Sequence, residues 1–235
     1  MNVSRDARIT QPFVLTPEEL KKLCDSIERA AKISSINAEC SDELEREFKS
    51  LTELLEYENP PSKAIETLRI YAYSSDTTVW VRFYKELWHN VSFTVQGPEE
   101  KVVPIIESID SRLSAIRPWY AVLALSDYRG ILLEGFCALI LYLAIQRVVL
   151  TSAGLAHTPF PSYLFMTLFG IGVFILSLLI NRLVTKLRKN YFTAGVFAIG
   201  QGMTRHQNNE TIRTTVFFGF LINIVAGLAI IIFYR

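Results

Sequence analysis

Apolar residues recur at three- and four-residue spacing from Leu20 through Leu23, Cys24, Ile27, Ala30 and Ala31. That period gathers them on one face of a helix. Thr16-Pro17-Glu18-Glu19 supplies the start, with a threonine N-cap, a proline at the first helical position and a glutamate closing a capping box. The helix is expected to run to about Lys32. The pattern then moves toward a period of two. Ile33 to Cys40 partly alternates, Ser41-Asp42 signals a turn, and Glu43 to Lys49 is expected to pair back as a second strand. Ser50-Leu51-Thr52-Glu53 is another capping box, opening a short helix that Asn59-Pro60-Pro61 stops.

Strict alternation follows. Leu68, Ile70 and Ala72 alternate with Arg69, Tyr71 and Tyr73; Val79, Val81 and Phe83 with Thr78, Trp80, Arg82 and Tyr84; Val91, Phe93 and Val95 with Ser92 and Thr94. Short connections join these three runs, which predicts an antiparallel meander. Gly97-Pro98-Glu99-Glu100 ends the third strand and starts a helix whose apolar face runs from Val102 to Ile116, with Pro104 in its second turn. Residues 1–14 read as a loose arm or an edge strand. The expected fold over residues 1–118 is therefore α+β, an antiparallel meander sheet with helices on one face.

If the apolar sides of the strands meet the helices, the other sheet face presents Arg69, Tyr71, Tyr73, Trp80, Arg82 and Tyr84. Aromatic and arginine side chains interleaved on one face suit contact with a protein partner. They also suit base stacking, or plain cross-strand pairing with no further role. No RNA-binding motif accompanies them.

The second half of the chain is patterned differently. Runs near 131–150, 162–181 and 215–234 are each long and apolar enough to span about 30 Å of hydrocarbon. They predict an all-α membrane anchor of three helices over residues 119–235. Charge sharpens that expectation. Residues 1–129 hold 16 basic and 21 acidic residues, a net of −5, while residues 130–235 hold 8 basic and 2 acidic residues, a net of +6. Residues 151–161 carry no Lys, Arg, Asp or Glu, whereas 182–213 carries Arg182, Lys186, Arg188, Lys189, Arg205 and Arg213 against Glu210 alone. The bias toward positive charge on the inner side places the N-terminal domain and 182–213 in the cytoplasm, with 151–161 and the C-terminus outside. The expected location is the plasma membrane, or the inner membrane of a bacterium, and the lipid bilayer becomes a partner. Glu134 and Asn223 are the polar residues inside spans, read as ion or proton sites or as edge and packing groups.

The basic stretch is too long for a minimal connector. Within it lies Val196-Phe197-Ala198-Ile199 followed by Gly200-Gln201-Gly202. The expectation is an extended docking segment, carrying Val196, Phe197, Ile199, Gly200 and Gly202, laid on the N-terminal domain as an added strand, with a polar helix over 205–213.

Catalytic chemistry finds little support. The glycines after Ile199 lack the Lys-Ser/Thr continuation of a phosphate loop. Three cysteines show no metal spacing, and His89, His157 and His206 are far apart. No catalytic, metal or cofactor residue is assigned. The sequence supports a multi-pass membrane protein with a cytoplasmic interaction or sensing module, binding a protein or a second copy of itself. The alternative is a subunit of an oligomeric pore or a membrane-perturbing effector. The net acidity of the first half and the missing motif disfavour nucleic acid.

Overall fold

A computed structural model describes residues 1–85, 90–125 and 191–233, with single positions between 179 and 190. The chain divides into two compact units, one of Met1–Leu125 with Tyr191–Arg235 and one of Ser126–Asn190. The first is a sheet-rich α+β unit.

Its strands are β1 (Asn2–Ile9), β2 (Phe13–Leu15), β3 (Lys32–Cys40), β4 (Glu45–Phe48), β5 (Ile65–Tyr73), β6 (Thr78–Tyr84), β7 (Val91–Pro98) and β8 (Gly195–Phe197). The helices are α1 (Pro17–Glu28), α2 (Leu51–Glu56), α3 (Glu99–Ala115), α4 (Ala121–Leu125) and α5 (Gln201–Phe233). Six strands form an antiparallel sheet in the order β1-β7-β6-β5-β3-β4, and β2 and β8 form a parallel pair.

Local chemistry sets the element boundaries. Thr16 Oγ1 accepts from the Glu19 amide at 3.3 Å, so one orphan donor at the head of α1 is satisfied. Ser50 Oγ accepts from the Glu53 amide at 3.2 Å, and the Glu53 carboxylate reaches back to the Lys49 amide at 2.8 Å. In α3 the absent N–H of Pro104 lies inside the helix, while Glu99 and Glu100 in the first turn complement the helix dipole.

The period-two residues of β5, β6 and β7 turn one side inward. Leu68, Ile70, Val81, Phe83, Phe93 and Val95 are buried against the apolar faces of α1 and α3. Truncating one such side chain to alanine costs about 2–5 kcal/mol. Residues 1–14, which carry little pattern, form an edge strand and half of the parallel pair. Their order comes from neighbours rather than from local propensity: Phe13 stacks edge-on to Phe83 at 5.2 Å and to Phe197 at 5.4 Å.

The expected three-helix membrane anchor is overturned. Among the described residues, no helix is long and apolar enough to cross a membrane. The run 215–234 lies in the second half of α5, a helix of 33 residues whose first half is polar. Apolar composition alone does not make a span, which also needs an unbroken apolar helix long enough to cross, and Val216, Phe218 and Ile222 of this stretch remain exposed. The runs 131–150 and 162–181, and Glu134 with them, lie outside the described residues apart from Leu179. The multi-pass membrane reading, the plasma-membrane or inner-membrane location, the sidedness of 1–118, 151–161 and 182–213, and the pore alternative all rested on those spans and fall with them.

Candidate functional site

The strand register decides what the outer sheet face presents. Tyr71 stands opposite Trp80, Arg69 opposite Arg82, Tyr73 opposite Thr78, and Tyr84 opposite Thr67. Tyr71 and Trp80 pack with ring centroids 4.7 Å apart, tilted by 54°. The Arg82 guanidinium lies 4.9 Å from the centre of the Trp80 ring, within cation–π range. Two arginines directly opposite would repel, and they turn apart. Arg69 crosses to β3 and β4, where it meets Glu39 at 3.0 Å and Glu45 at 3.0 Å. Asn37 also donates to Glu45, at 3.3 Å.

This row is ordered by its own contacts yet open. Trp80 is 37% exposed and Tyr73 52% exposed. The described helices that pack on the sheet, α1 and α3, lie on its other face. Glu47, beyond Asn37 on the edge strand β4, is exposed and has no ion-pair partner among the described residues.

The segment after Ala194 is built into the body. Gly195, Val196 and Phe197 pair in parallel with Phe13, Val14 and Leu15. Phe13 donates to Ala194 at 2.8 Å, and Ala198 donates to Leu15 at 2.9 Å. Phe197 and Ile199 are buried in the core. Asn59 closes the other side. Its amide nitrogen donates to the Phe197 carbonyl at 3.1 Å and the Ile199 carbonyl at 3.2 Å, while its oxygen accepts from the Ile65 amide at 2.9 Å. Gly200 then turns with φ +50°, where a Cβ would meet the Tyr57 and Glu58 carbonyl oxygens at 2.5 Å. At Gly202 a Cβ would lie 2.2 Å from the Phe197 carbonyl oxygen. These glycines are turn and close-packing residues.

Asn223 sits on α5, exposed, with its side-chain amide donating to the Gly219 carbonyl one turn back at 2.8 Å. A second polar cluster escaped sequence reasoning. Arg213 is 1% exposed, pairs with Glu210 at 2.7 Å and lies 4.0 Å from the centre of the Tyr120 ring. The Trp119 indole donates to Glu210, and Tyr120 stacks edge-on to Phe192 at 5.9 Å. Burial, and then the nearby Arg213 charge, pushes the His206 imidazole below its ordinary range. Burial raises the Tyr120 phenol. The available signal was the spacing of His206, Glu210 and Arg213, which puts all three on one face of a helix.

Catalytic groups do not assemble among the described residues. Burial pushes the Cys24 thiol up to about 12, so it stays protonated and unreactive at neutral pH. Cys40 is buried near the Tyr57 hydroxyl at 4.0 Å. No group of three His, Cys, Asp or Glu among the described residues is placed to hold a metal ion. The chain gives no significant match to protein-family models, to curated proteins or to solved structures.

Proposed function

We propose that the Met1–Leu125 body is a non-enzymatic binding domain whose outer sheet face is the contact surface for a protein partner. The observation that carries this reading is the Tyr71–Trp80–Arg82 row, pre-ordered at 4.7 Å and 4.9 Å, half-buried at Tyr71 and Arg82 and open to solvent at Trp80. Tyr, Trp and Arg are the residue types that dominate binding energy in protein interfaces. Side chains already held in place lose little rotamer freedom when a partner arrives. The glutamates around Arg69 act as a polar rim beside this centre. They also argue against a nucleic-acid backbone, because Glu39, Glu45 and Glu47 put negative charge beside the stacking surface.

The test compares affinity capture by the full-length chain with capture by Trp80→Ala and Tyr71→Ala variants, using Lys63→Ala as a surface control. Trp80 is exposed and Tyr71 half-buried, so losing their ring pair is expected to cost about 0.5–1.5 kcal/mol and leave the fold intact, which thermal melting checks. The reading expects one protein species recovered with wild type and the control and lost from both aromatic variants. Equal recovery with all four chains would refute it. Salt-sensitive retention of oligonucleotides by wild type, abolished in the same variants, would replace it with the base-stacking reading.

A further inference from the structure

We propose that the free edge of β1 is the seam of a twofold dimer of this chain, strand against antiparallel strand, with Asp6 of each copy opposite Arg8 of the other. The argument begins with backbone parity. Opposite residues in an antiparallel ladder alternate between exchanging both backbone bonds and exchanging none. The Glu99 amide donates to the Met1 carbonyl at 3.1 Å, one step beyond the Asn2–Pro98 pair. The odd residues Val3, Arg5, Ala7 and Ile9 therefore spend their amides and carbonyls on β7. On the other side of β7, Tyr84 donates to Asn90 at 2.7 Å, which assigns the even residues of β7 to β6 and agrees with that parity. Pro98, which lacks an N–H, falls opposite Asn2 at a position that needs none.

The even residues Asn2, Ser4, Asp6 and Arg8 thus direct their backbone groups off the sheet. Among the described residues no strand pairs with this edge. An open edge of this length is a template for another strand.

The side chains choose the occupant and the register. In a twofold strand pair, only registers that match even residues with even residues can use the free groups. Centring the pair on Arg5 sets two arginines against each other at the closest approach. Centring it on Asp6 opposes two aspartates. Centring it on Ser4 avoids a clash, but it pairs Asp6 with Asn2 and leaves Arg8 beyond the seam. Centring it on Ala7 sets Asp6 against Arg8 twice, once on each side of the axis. The smallest side chain of the strand's centre, Ala7, then lies on the axis at a pair that exchanges no bonds, where Cα atoms come within about 4.5 Å. Arg5, held by Asp110 at 3.2 Å and lying over Phe93, would face Ile9. Asp6 and Arg8 are exposed and neither has an ion-pair partner among the described residues. The axis stands perpendicular to the sheet, so the two outer faces with their Tyr71–Trp80–Arg82 rows share one side of a doubled sheet.

The experiment is analytical ultracentrifugation of the full-length chain over a concentration series. Wild type is expected to sediment as a dimer that dissociates on dilution. Asp6→Arg or Arg8→Asp turns both cross-seam pairs into like-charge pairs and is expected to weaken association at least about tenfold. The double exchange, Asp6→Arg with Arg8→Asp, is expected to restore it. Asp6→Pro removes an off-sheet N–H while leaving the β7 ladder intact, and is expected to give a folded monomer whose melting, unlike that of wild type, does not depend on protein concentration. A wild-type monomer throughout the series would overturn the proposal, as would a dimer indifferent to these changes or a double exchange that stays monomeric. If wild type is monomeric and instead binds an unrelated extended peptide through β1, the edge accepts strands but the self-pairing is wrong.

Discussion

Asn59 is the residue through which the chain's two sequence-distant segments depend on each other, and its removal has a calculable cost. It is 1% exposed with φ +50°. Replacing it with alanine deletes three hydrogen bonds, at 2.9, 3.1 and 3.2 Å. The Ile199 carbonyl keeps the Gly202 amide at 2.8 Å. The Ile65 amide and the Phe197 carbonyl lose the Asn59 partner inside the core. Each buried group left unpaired costs about 1–3 kcal/mol. Alanine in the left-handed region adds about 1–2 kcal/mol that asparagine largely escapes. The expected loss is therefore about 3–8 kcal/mol, a large share of the 5–15 kcal/mol typical of a domain. Asn59→Gly relieves the backbone but not the hydrogen bonds, so it should be about 1 kcal/mol less damaging than alanine. Urea denaturation of the full chain measures both losses. Amide exchange at Ala198 and limited proteolysis between residues 186 and 201 report whether the β8 segment releases first. A loss below about 1 kcal/mol for Asn59→Ala, with the β8 amides still protected, would refute the assignment of Asn59 as the clasp.

Gly200→Ala places a Cβ 2.5 Å from two backbone oxygens at φ +50° and is expected to lower stability by more than about 2 kcal/mol, whereas Gly219→Ala, which meets nothing within 4 Å, is expected to be neutral or stabilising in thermal melts. The hydrogen bond from Arg46 holds the Asp42 carboxyl at about 2, so its NMR titration midpoint should lie there and move toward the ordinary 3.8 in Arg46→Ala. Because the folded value is depressed, the stability from this pair is present above 3.8 and is lost as pH falls through about 2. His206 works on a different range. Its folded value lies below the ordinary 6.5, because of burial and then the Arg213 charge, with Glu210 opposing; Tyr120 lies against Arg213, and Trp119 donates to Glu210. The unfolded chain therefore binds the proton first, stability falls as pH drops below 6.5, and His206→Gln should flatten melting temperature against pH between 7 and 5.

Legibility followed the range of the forces involved. Capping boxes at Thr16 and Ser50 and period-two runs in β5, β6 and β7 are local, and they can be read from a few adjacent residues. The strand at Asn2–Ile9 is not local. Asn2, Asp6 and Ala7 have poor strand propensity, and the pairing that orders them comes from β7, far along the chain. The outer-face residues follow from alternation alone, but the turning of Arg69 to Glu39 and Glu45 needs β3 and β4 in register beside β5. The membrane expectation failed for a related reason. Length and apolarity of a run state how much surface must leave water, and not what covers it. Tyr120 shows the same ambiguity. Its ring sits next to an apolar run, yet what covers it is the Arg213 guanidinium.

The Arg213 cluster also explains why a polar first half belongs on α5. A buried guanidinium is costly unless its charge is met, and breaking such a pair costs more than forming it gains. Glu210 meets the charge at 2.7 Å, Tyr120 offers its ring face, and Trp119 in turn fixes Glu210. Each of these contacts is directional, and a helix rotated by one residue would lose all of them. An apolar face alone tolerates small rotations, because hydrophobic contact has no preferred direction. The clasp at Asn59 holds the segment leading into α5 along the chain. The arginine stack holds the helix about its own axis. Together they define the position of α5 against the Met1–Leu125 body more tightly than burial would, at the expense of stability that an apolar cluster of the same volume would supply.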